Sequence, residues 1–359
     1  MTDRDPGPGG ARLEPRPFAT LPGWENDDHG AAFVAFCRSA AHHLKAEPAL
    51  RQGLAPDPAL MAAFSLALTW NGTPKAFFES VFAPFAIQPE TGSGFLTGYF
   101  EPELSGSLVP HPDYPVPVLA RPPELVTVPQ GGEPPNPVDP SLQSYMNTRQ
   151  GPASMPVRAD IEDGFFAGRG LEIAWLRDRV DLFFMHVQGS ARLRLPDGST
   201  ARLVYAGRNG HPYTSIGRVI VAEGHLPLER ATLAPLKDWL RRNPAEARRI
   251  MRLNHSYIFF GVDTSLAPED GPIGAAGHSL IPLRSIAVDR TLWPYGLPFF
   301  IAAEGDLPTN RLWIAQDTGS AIVGPARADL FFGSGEAAGL QAGSVRHRAE
   351  MIVLWPRVS

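Results

Sequence analysis

At 359 residues, 43% apolar and 19% charged, the chain is long enough for two compact units and reads as globular. A net charge of −5 gives no electrostatic footprint for nucleic acid, and the longest apolar runs, such as MAAFSLAL (61–68), are too short to cross a bilayer. A single cysteine, Cys37, excludes an intramolecular disulfide.

Residues 1–24 are rich in proline and glycine and show no basic, apolar and small-residue succession of an export signal, so they are read as a lead-in. Three helices are predicted next. The first begins at Asp27 or Asp28 and runs to about Lys45, with Phe33, Phe36, Cys37, Ala40 and Leu44 on one face, which makes Cys37 a core thiol. The second covers roughly Pro58–Trp70. The third covers Pro74–Phe82, with Thr73 as its cap and proline in its first position. FLTGYFEPEL (95–104) then reads as strand. Thirteen of the 38 prolines fall between Pro110 and Pro156, a density that forbids long helices and central strands and marks the start of an inserted domain.

RADIEDG (158–164) predicts a short helix stopped by glycine, and the alternation around Asp197-Gly198 predicts a hairpin. Helices return at about Ser215–Glu223, Leu228–Arg242 and Pro244–Leu253, the last capped by Asn243. From Ser256 onward the chain reads as strands: SYIFFGV, SLIPLRSIAVD, PFFIAAE, RLWIAQD, RADLFFG and EMIVLW. A barrel is the economical closure for six such strands.

The chemistry narrows by elimination. There is no GxxxxGK[ST] loop, no GxSxG elbow and no HExxH or comparable ligand spacing among ten histidines, so no metal or cofactor is expected. Three aspartates stand beside apolar strands: Asp289, Asp317 and Asp329. Each has an ordinary reading as a turn residue or loop cap. QDTGSAIVG (316–324) contains the DTGS of aspartic proteases, but that chemistry needs two carboxylates sharing a proton. The nearest second candidate, Asp263-Thr264-Ser265, lacks the glycine. The small residues after Asp317 allow close approach by a substrate or by a crossing chain.

A glycosidic bond suits these residues better, because its cleavage needs a carboxylic acid still protonated near neutral pH. A free Asp titrates near ~3.9, so the site must raise it by about two units. Burial against Leu330, Phe331 and Phe332 and repulsion from Asp317 push that way, which makes Asp329 the better acid and Asp317 its ionised or hydrogen-bonding neighbour.

The segments TGYFEPEL, DLFFMHVQGSARL, VYAGRNGHPYTSIGRVI, NHSYIFF, PLRSIAVD, QDTGSAIVG and RADLFFGSG, in this order from about Thr97 to Gly335, resemble the membrane-bound lytic transglycosylase A (MltA) family of bacterial cell-wall enzymes. The resemblance implies a mainly β fold with N-terminal and mid-chain helices. A double-psi β-barrel domain would be built from residues 25–104 and 245–359, with a three-aspartate (3D) segment at about 280–350. A second, barrel-like β domain would be inserted at 105–244, and glycan would lie in the groove between the two.

It further implies cleavage of the β-1,4 bond from N-acetylmuramic acid to N-acetylglucosamine without water, giving 1,6-anhydro ends. Asp329 would be the acid/base, with Asp317 and Asp289 in support, and no cofactor would be needed. Tyr99, Glu101, Gln188, Gly189, Ser190, Tyr205 and Tyr213 are the expected glycan contacts, against structural roles for the same group. His211 is expected to be a loop hydrogen-bonder. A hydrolytic glycosidase and a non-catalytic glycan-binding module are the alternatives. A monomer acting on peptidoglycan strands is expected, with other cell-wall enzymes as further partners, in the periplasm and in association with the outer membrane. That location comes from the family, since the sequence shows no signal peptide or lipobox cysteine. Two departures stand out: Ser320 follows Gly319 where the family often has a second glycine, and no aromatic precedes Asp329.

Overall fold

The computed structural model describes residues 7–129, 131–263, 267, 270–303 and 310–357. Thr264 and Ser265 of the weak second protease-like tripeptide, and the first six residues of the lead-in, lie outside the described residues. The chain divides into two compact units: Met1–Phe100 with Asp270–Gly333 and Ala337–Ser359, and Glu101–Glu269 with Ser334–Glu336.

The first unit opens with β1 (Arg12–Pro15), α1 (His29–Leu44), α2 (Pro58–Ala67), α3 (Pro74–Val81), β2 (Phe82–Gln88) and β3 (Gly94–Glu101). Each helix starts on a side chain that satisfies an orphan amide. Asp28 accepts from Ala31 N, Asp57 from Leu60 N and Thr73 from Ala76 N.

The chain then builds the second unit from β4 (Glu103–Ser107), β5 (Val116–Leu119), β6 (Leu125–Thr127), β7 (Ser144–Thr148), β8 (Gly151–Ser154), α4 (Arg158–Glu162), β9 (Glu172–Leu176), α5 (Arg179–Gln188), β10 (Ala191–Arg194), β11 (Thr200–Arg208), α6 (Ile216–Ala222), α7 (Leu233–Arg242), α8 (Pro244–Arg252) and β12 (Ile258–Asp263). It returns to the first unit through β13 (Ser285–Ala287), β14 (Pro298–Ala302), β15 (Arg311–Asp317), β16 (Arg327–Ser334), α9 (Glu336–Ser344) and β17 (Arg346–Pro356).

In the first unit the strand order is β1-β2-β17-β14-β15-β13-β16-β3, and a further pairing of β17 with β3 closes six of these strands into a ring. The long β17 makes this possible. Its first half pairs with β3 (Arg346↔Thr97), and its second half pairs with β14 (Val353↔Phe299) and β2 (Trp355↔Ala83). β13 runs parallel to β15 and antiparallel to β16, which brings the ends that carry Asp317 and Asp329 to Ala287. Ile286, Phe299, Ile314, Leu330 and Val353 are fully buried among these strands.

In the second unit the order is β12-β11-β10-β4-β9-β5, and Ala120, just past β5, bridges Phe260 of β12 to close the sheet. Leu104, Val118, Leu176, Leu193, Leu203 and Phe260 belong to its core. The strand SYIFFGV, read from the sequence as part of the C-terminal β-rich unit, is therefore β12 of this second sheet, antiparallel to β11 along Arg202–Arg208. Its apolar residues are buried equally well in either place, so pattern alone does not discriminate.

Other local expectations shift for identifiable reasons. The buried face of α1 carries Ala32, Ala35, Phe36, Ser39, Ala40 and His42, whereas Cys37 is half-buried and Leu44 is 39% exposed. The rotation follows from the packing of α1 on β15, where buried Gln316 donates to Ser39 Oγ and Ala35 O, each at 2.8 Å. The Leu228–Arg242 helix breaks into a single turn at Leu228–Arg230 and α7, because Pro235 has no amide to donate and fits only a first turn. Asn243 does not cap α8; its side chain donates back to Trp239 O at 2.8 Å. α5 and α9 were not read as helices. For α5 the signals were present: Asp178 accepts from Asp181 N at the start, and Gly189 takes the left-handed conformation (φ 84°) at the end.

Candidate active site

Along β16, Ala328 and Leu330 point into the core while Arg327 and Asp329 are half-buried on the other face, the alternation a strand imposes. Asp329 Oδ1 accepts a 2.6 Å hydrogen bond from Thr97 Oγ1 of β3. The same hydroxyl accepts from Arg327 Nη2 at 2.7 Å, and the guanidinium lies 5.3 Å from the Phe95 ring centroid. Burial raises the Asp329 carboxyl from 3.8 to about 6. Thr97 and Arg327 oppose that rise, and the Asp317 charge adds to it.

Asp317 ends β15 and is held very differently. Its Oδ1 accepts from Ala275 N at 2.9 Å and from Thr318 N at 2.8 Å, and its Oδ2 accepts from the Tyr99 hydroxyl at 2.8 Å. Burial raises this carboxyl above its ordinary 3.8 as well, and three donors and the Arg51 charge only oppose that rise. Backbone amides only donate, so Oδ1 of Asp317 stays an acceptor, and a proton on this carboxyl would be confined to Oδ2, facing the Tyr99 hydroxyl. Of the two carboxyls Asp329 is the one raised to about 6, and it meets one donor where Asp317 meets three.

Asp289, 7% exposed, is a clasp. Its Oδ1 accepts from Thr291 N and Oγ1 at 3.0 and 2.6 Å, and its Oδ2 accepts from Gly324 N at 2.8 Å. It thereby ties the far end of the DTGSAIVG loop to the turn after β13, while Thr318 Oγ1 ties the near end to Val288 O at 2.8 Å.

The expected glycan contacts fall into different situations. Tyr99 faces the acidic pair; its hydroxyl is engaged with Asp317 and its ring lies 5.2 Å from that of Phe331. Glu101 is completely buried in the second unit, in an ion pair with Arg202 (2.8 Å) and beside Arg192 (3.5 Å), and it accepts from Ser334 Oγ at 2.6 Å. Its carboxylate is occupied by the protein. Gln188 and Gly189 end α5, and Ser190 is 7% exposed at the start of β10. Ala191 opposes Leu203, which puts Tyr205 on β11 at that same end of the hairpin. Tyr213 is 39% exposed in the loop before α6.

In the neighbouring NGHPY segment, Asn209 is fully buried and bonds Pro156 O, His255 O and Tyr257 N, while His211 Nε2 meets Met155 O at 2.7 Å. Both are framework residues. Among the described residues one His/carboxylate group has ion-binding spacing, Glu223, His225 and Glu246, but it is at the surface and Arg249 already bridges the two glutamates.

Thr97, Arg327 and Gln316 were not singled out from the sequence. Thr97 and Arg327 are separated by 230 positions and Thr97 and Asp329 by 232, so no local pattern links them.

The sequence profile of the MltA specific insert domain matches residues 95–261, and that of the 3D domain matches residues 284–355. A membrane-bound lytic murein transglycosylase structure from Agrobacterium tumefaciens is 40% identical, covers 96% of this chain and 98% of its own, and superposes with a TM-score of 0.87. The chain belongs to the MltA family. The MltA structure from Neisseria gonorrhoeae is 30% identical with a TM-score of 0.79 and covers all of this chain and 98% of its own. The membrane-bound lytic murein transglycosylase A of Vibrio cholerae is 37% identical over 202 residues, which are 54% of each chain. The chain thus spans about half the length of the curated relatives it matches. In this MltA-family chain no helix among the described residues is long and apolar enough to cross a membrane.

Proposed function

We propose that the protein is a peptidoglycan lytic transglycosylase of the bacterial cell envelope, cleaving the bond from N-acetylmuramic acid to N-acetylglucosamine with Asp329 as its single acid/base. The observation that carries this reading is the asymmetry of the two carboxyls: Asp317 is held by three donors and Asp329 by one, with Asp329 raised to about 6. Such a group is protonated in an appreciable fraction of molecules near neutral pH and gives up its proton readily.

In the first step the Asp329 proton passes to the glycosidic oxygen as the C1–O bond breaks and the N-acetylglucosamine side leaves as an alcohol. In the second, the C6 hydroxyl of the muramic residue bonds to C1 and returns its proton to the Asp329 carboxylate. The enzyme ends as it began, and no water enters the products. A well-placed intramolecular hydroxyl reaches effective molarities of about 10⁵ M or more, enough to outrun water. Tyr99 acts on Asp317 and so orients the charge beside the acid. Gln188, Gly189, Ser190 and Tyr205 are the glycan contacts of the second unit, with Tyr213 offering an exposed ring. Glu101 is a framework residue.

Purified peptidoglycan digested with the protein should yield muropeptides with anhydro ends, read by mass. Products that all carry an added water indicate a hydrolase, and glycan binding without turnover indicates a binding module; either overturns the proposal.

A further inference from the structure

On the reading of Asp329 as the acid, we infer that Arg327 is a positioning residue that works through Thr97: it fixes the direction of the Thr97 hydroxyl and so places the transferable proton of Asp329 on Oδ2. The geometry is directional. Arg327 Nη2 has only hydrogens to offer and spends one on Thr97 Oγ1 at 2.7 Å. The Thr97 hydrogen is then directed away from the guanidinium, toward Asp329 Oδ1 at 2.6 Å. A proton on Oδ1 would have to share that short contact and sit on the side of the carboxyl facing a cation, which Coulomb repulsion disfavours. Among the described residues no donor engages Oδ2, so that oxygen is left to carry the proton.

Arg327 is itself fixed. Its guanidinium lies over the Phe95 ring at 5.3 Å, and Nη1 donates to Phe95 O at 3.3 Å, so one strand residue sets the arm that sets the hydroxyl. The groups facing Asp329 are Thr97 and Tyr99 from β3, Asp317 from β15 and Arg327 from β16. Arg327 is the cation among them. After proton transfer the same arrangement leaves Thr97 and Arg327 stabilising the carboxylate until the C6 hydroxyl returns a proton.

The test reads the proton's location by infrared difference spectroscopy of the full chain between pH 5 and pH 7. With the proton on Oδ2, the carbonyl of the acid is Oδ1 and its stretch is lowered by the Thr97 hydrogen bond. Thr97→Val and Arg327→Met should both move that band to higher frequency, and Thr97→Ser should restore it. Arg327→Met should also move the limb of the pH–rate profile that reports loss of the acid proton upward by about one unit, with Arg327→Lys moving it back. A band and a limb unmoved in both Thr97→Val and Arg327→Met overturn the inference. The band must vanish in Asp329→Asn; if band and turnover persist there, the acid is another group and the proposed assignment fails first.

Discussion

If burial holds the Asp329 proton, the charged form of this residue must cost the fold something, and Asp329→Asn should be more stable than the parent protein. The carboxyl moves from 3.8 to about 6. At ~1.4 kcal/mol per unit this is about 3 kcal/mol as an upper bound, and because Asp329 is half-buried the expected gain is ~1–3 kcal/mol. The sign follows from proton binding. Between 3.8 and about 6 the folded protein binds more protons at this site than the unfolded chain, so stability falls as pH rises through that window. The protonated form's contribution is fully present below 3.8 and is lost once pH passes about 6. Asparagine carries no such dependence. It keeps an oxygen to accept from Thr97 and places N–H where the acid proton sits. Denaturant midpoints followed by fluorescence of both proteins at several pH values measure the gap. It should be near zero at pH 4 and largest at pH 7, while turnover is lost throughout. An asparagine variant no more stable than the parent at pH 7, or a gap independent of pH, refutes the reasoning.

Asp289→Ala should loosen the loop after Asp317 by leaving Gly324 N and the Thr291 donors unmatched, at ~1–3 kcal/mol for each buried group left unpaired. Turnover should fall by about 10-fold or more with the far-UV spectrum unchanged, since small misplacements of reacting groups are costly; parental turnover would show that the loop holds without the clasp. Glu101→Ala removes the buried carboxylate that Arg202 and Arg192 face and should destabilise the protein by about 3–5 kcal/mol in a thermal melt. Loss of glycan binding at unchanged melting temperature would instead make Glu101 a ligand contact.

What could be read from the sequence was what is local. Asp28, Asp57 and Thr73 announce their helices because a cap acts on an amide three residues on. The Asp197-Gly198 turn announces its hairpin for the same reason, and the three strand-end aspartates stand out by type. What failed was non-local. Glu101 is expected from sequence as a glycan contact because Arg192 and Arg202, which enclose it, arrive on a hairpin some 90–100 positions later. Tyr99 lies beside the acidic pair, yet its partner Asp317 is 218 positions away, so its task as a donor to a carboxylate is not legible in the sequence. SYIFFGV went to the wrong sheet because a buried strand carries no record of its neighbour.

The small residues around Asp317 illustrate how the fold gives two like carboxyls different surroundings. From sequence, the small side chains of DTGS allow either a sugar or a crossing chain to approach. A crossing chain is there: Gly274–Gly277 runs against β15, with Ala276 N donating to Gln316 O at 3.1 Å and Ala275 N to Asp317 Oδ1 at 2.9 Å. A Cβ on Gly274 would stand 2.7 Å from Gln316 O, so glycine is what lets the amides come close enough. Behind the strand Gln316 is fixed through Ser39 to α1, and Ser39 meets His278 at the end of that same crossing segment at 3.2 Å. The amide of the crossing segment that engages Asp317 Oδ1 is thus delivered by backbone, anchored on both sides, and does not depend on a side chain that could turn away. Asp329, twelve residues on and paired in register with Ala287, meets one hydroxyl. Two chemically identical carboxyls thereby meet different partners, three donors at Asp317 and one at Asp329, which is the asymmetry the proposed one-acid mechanism calls for.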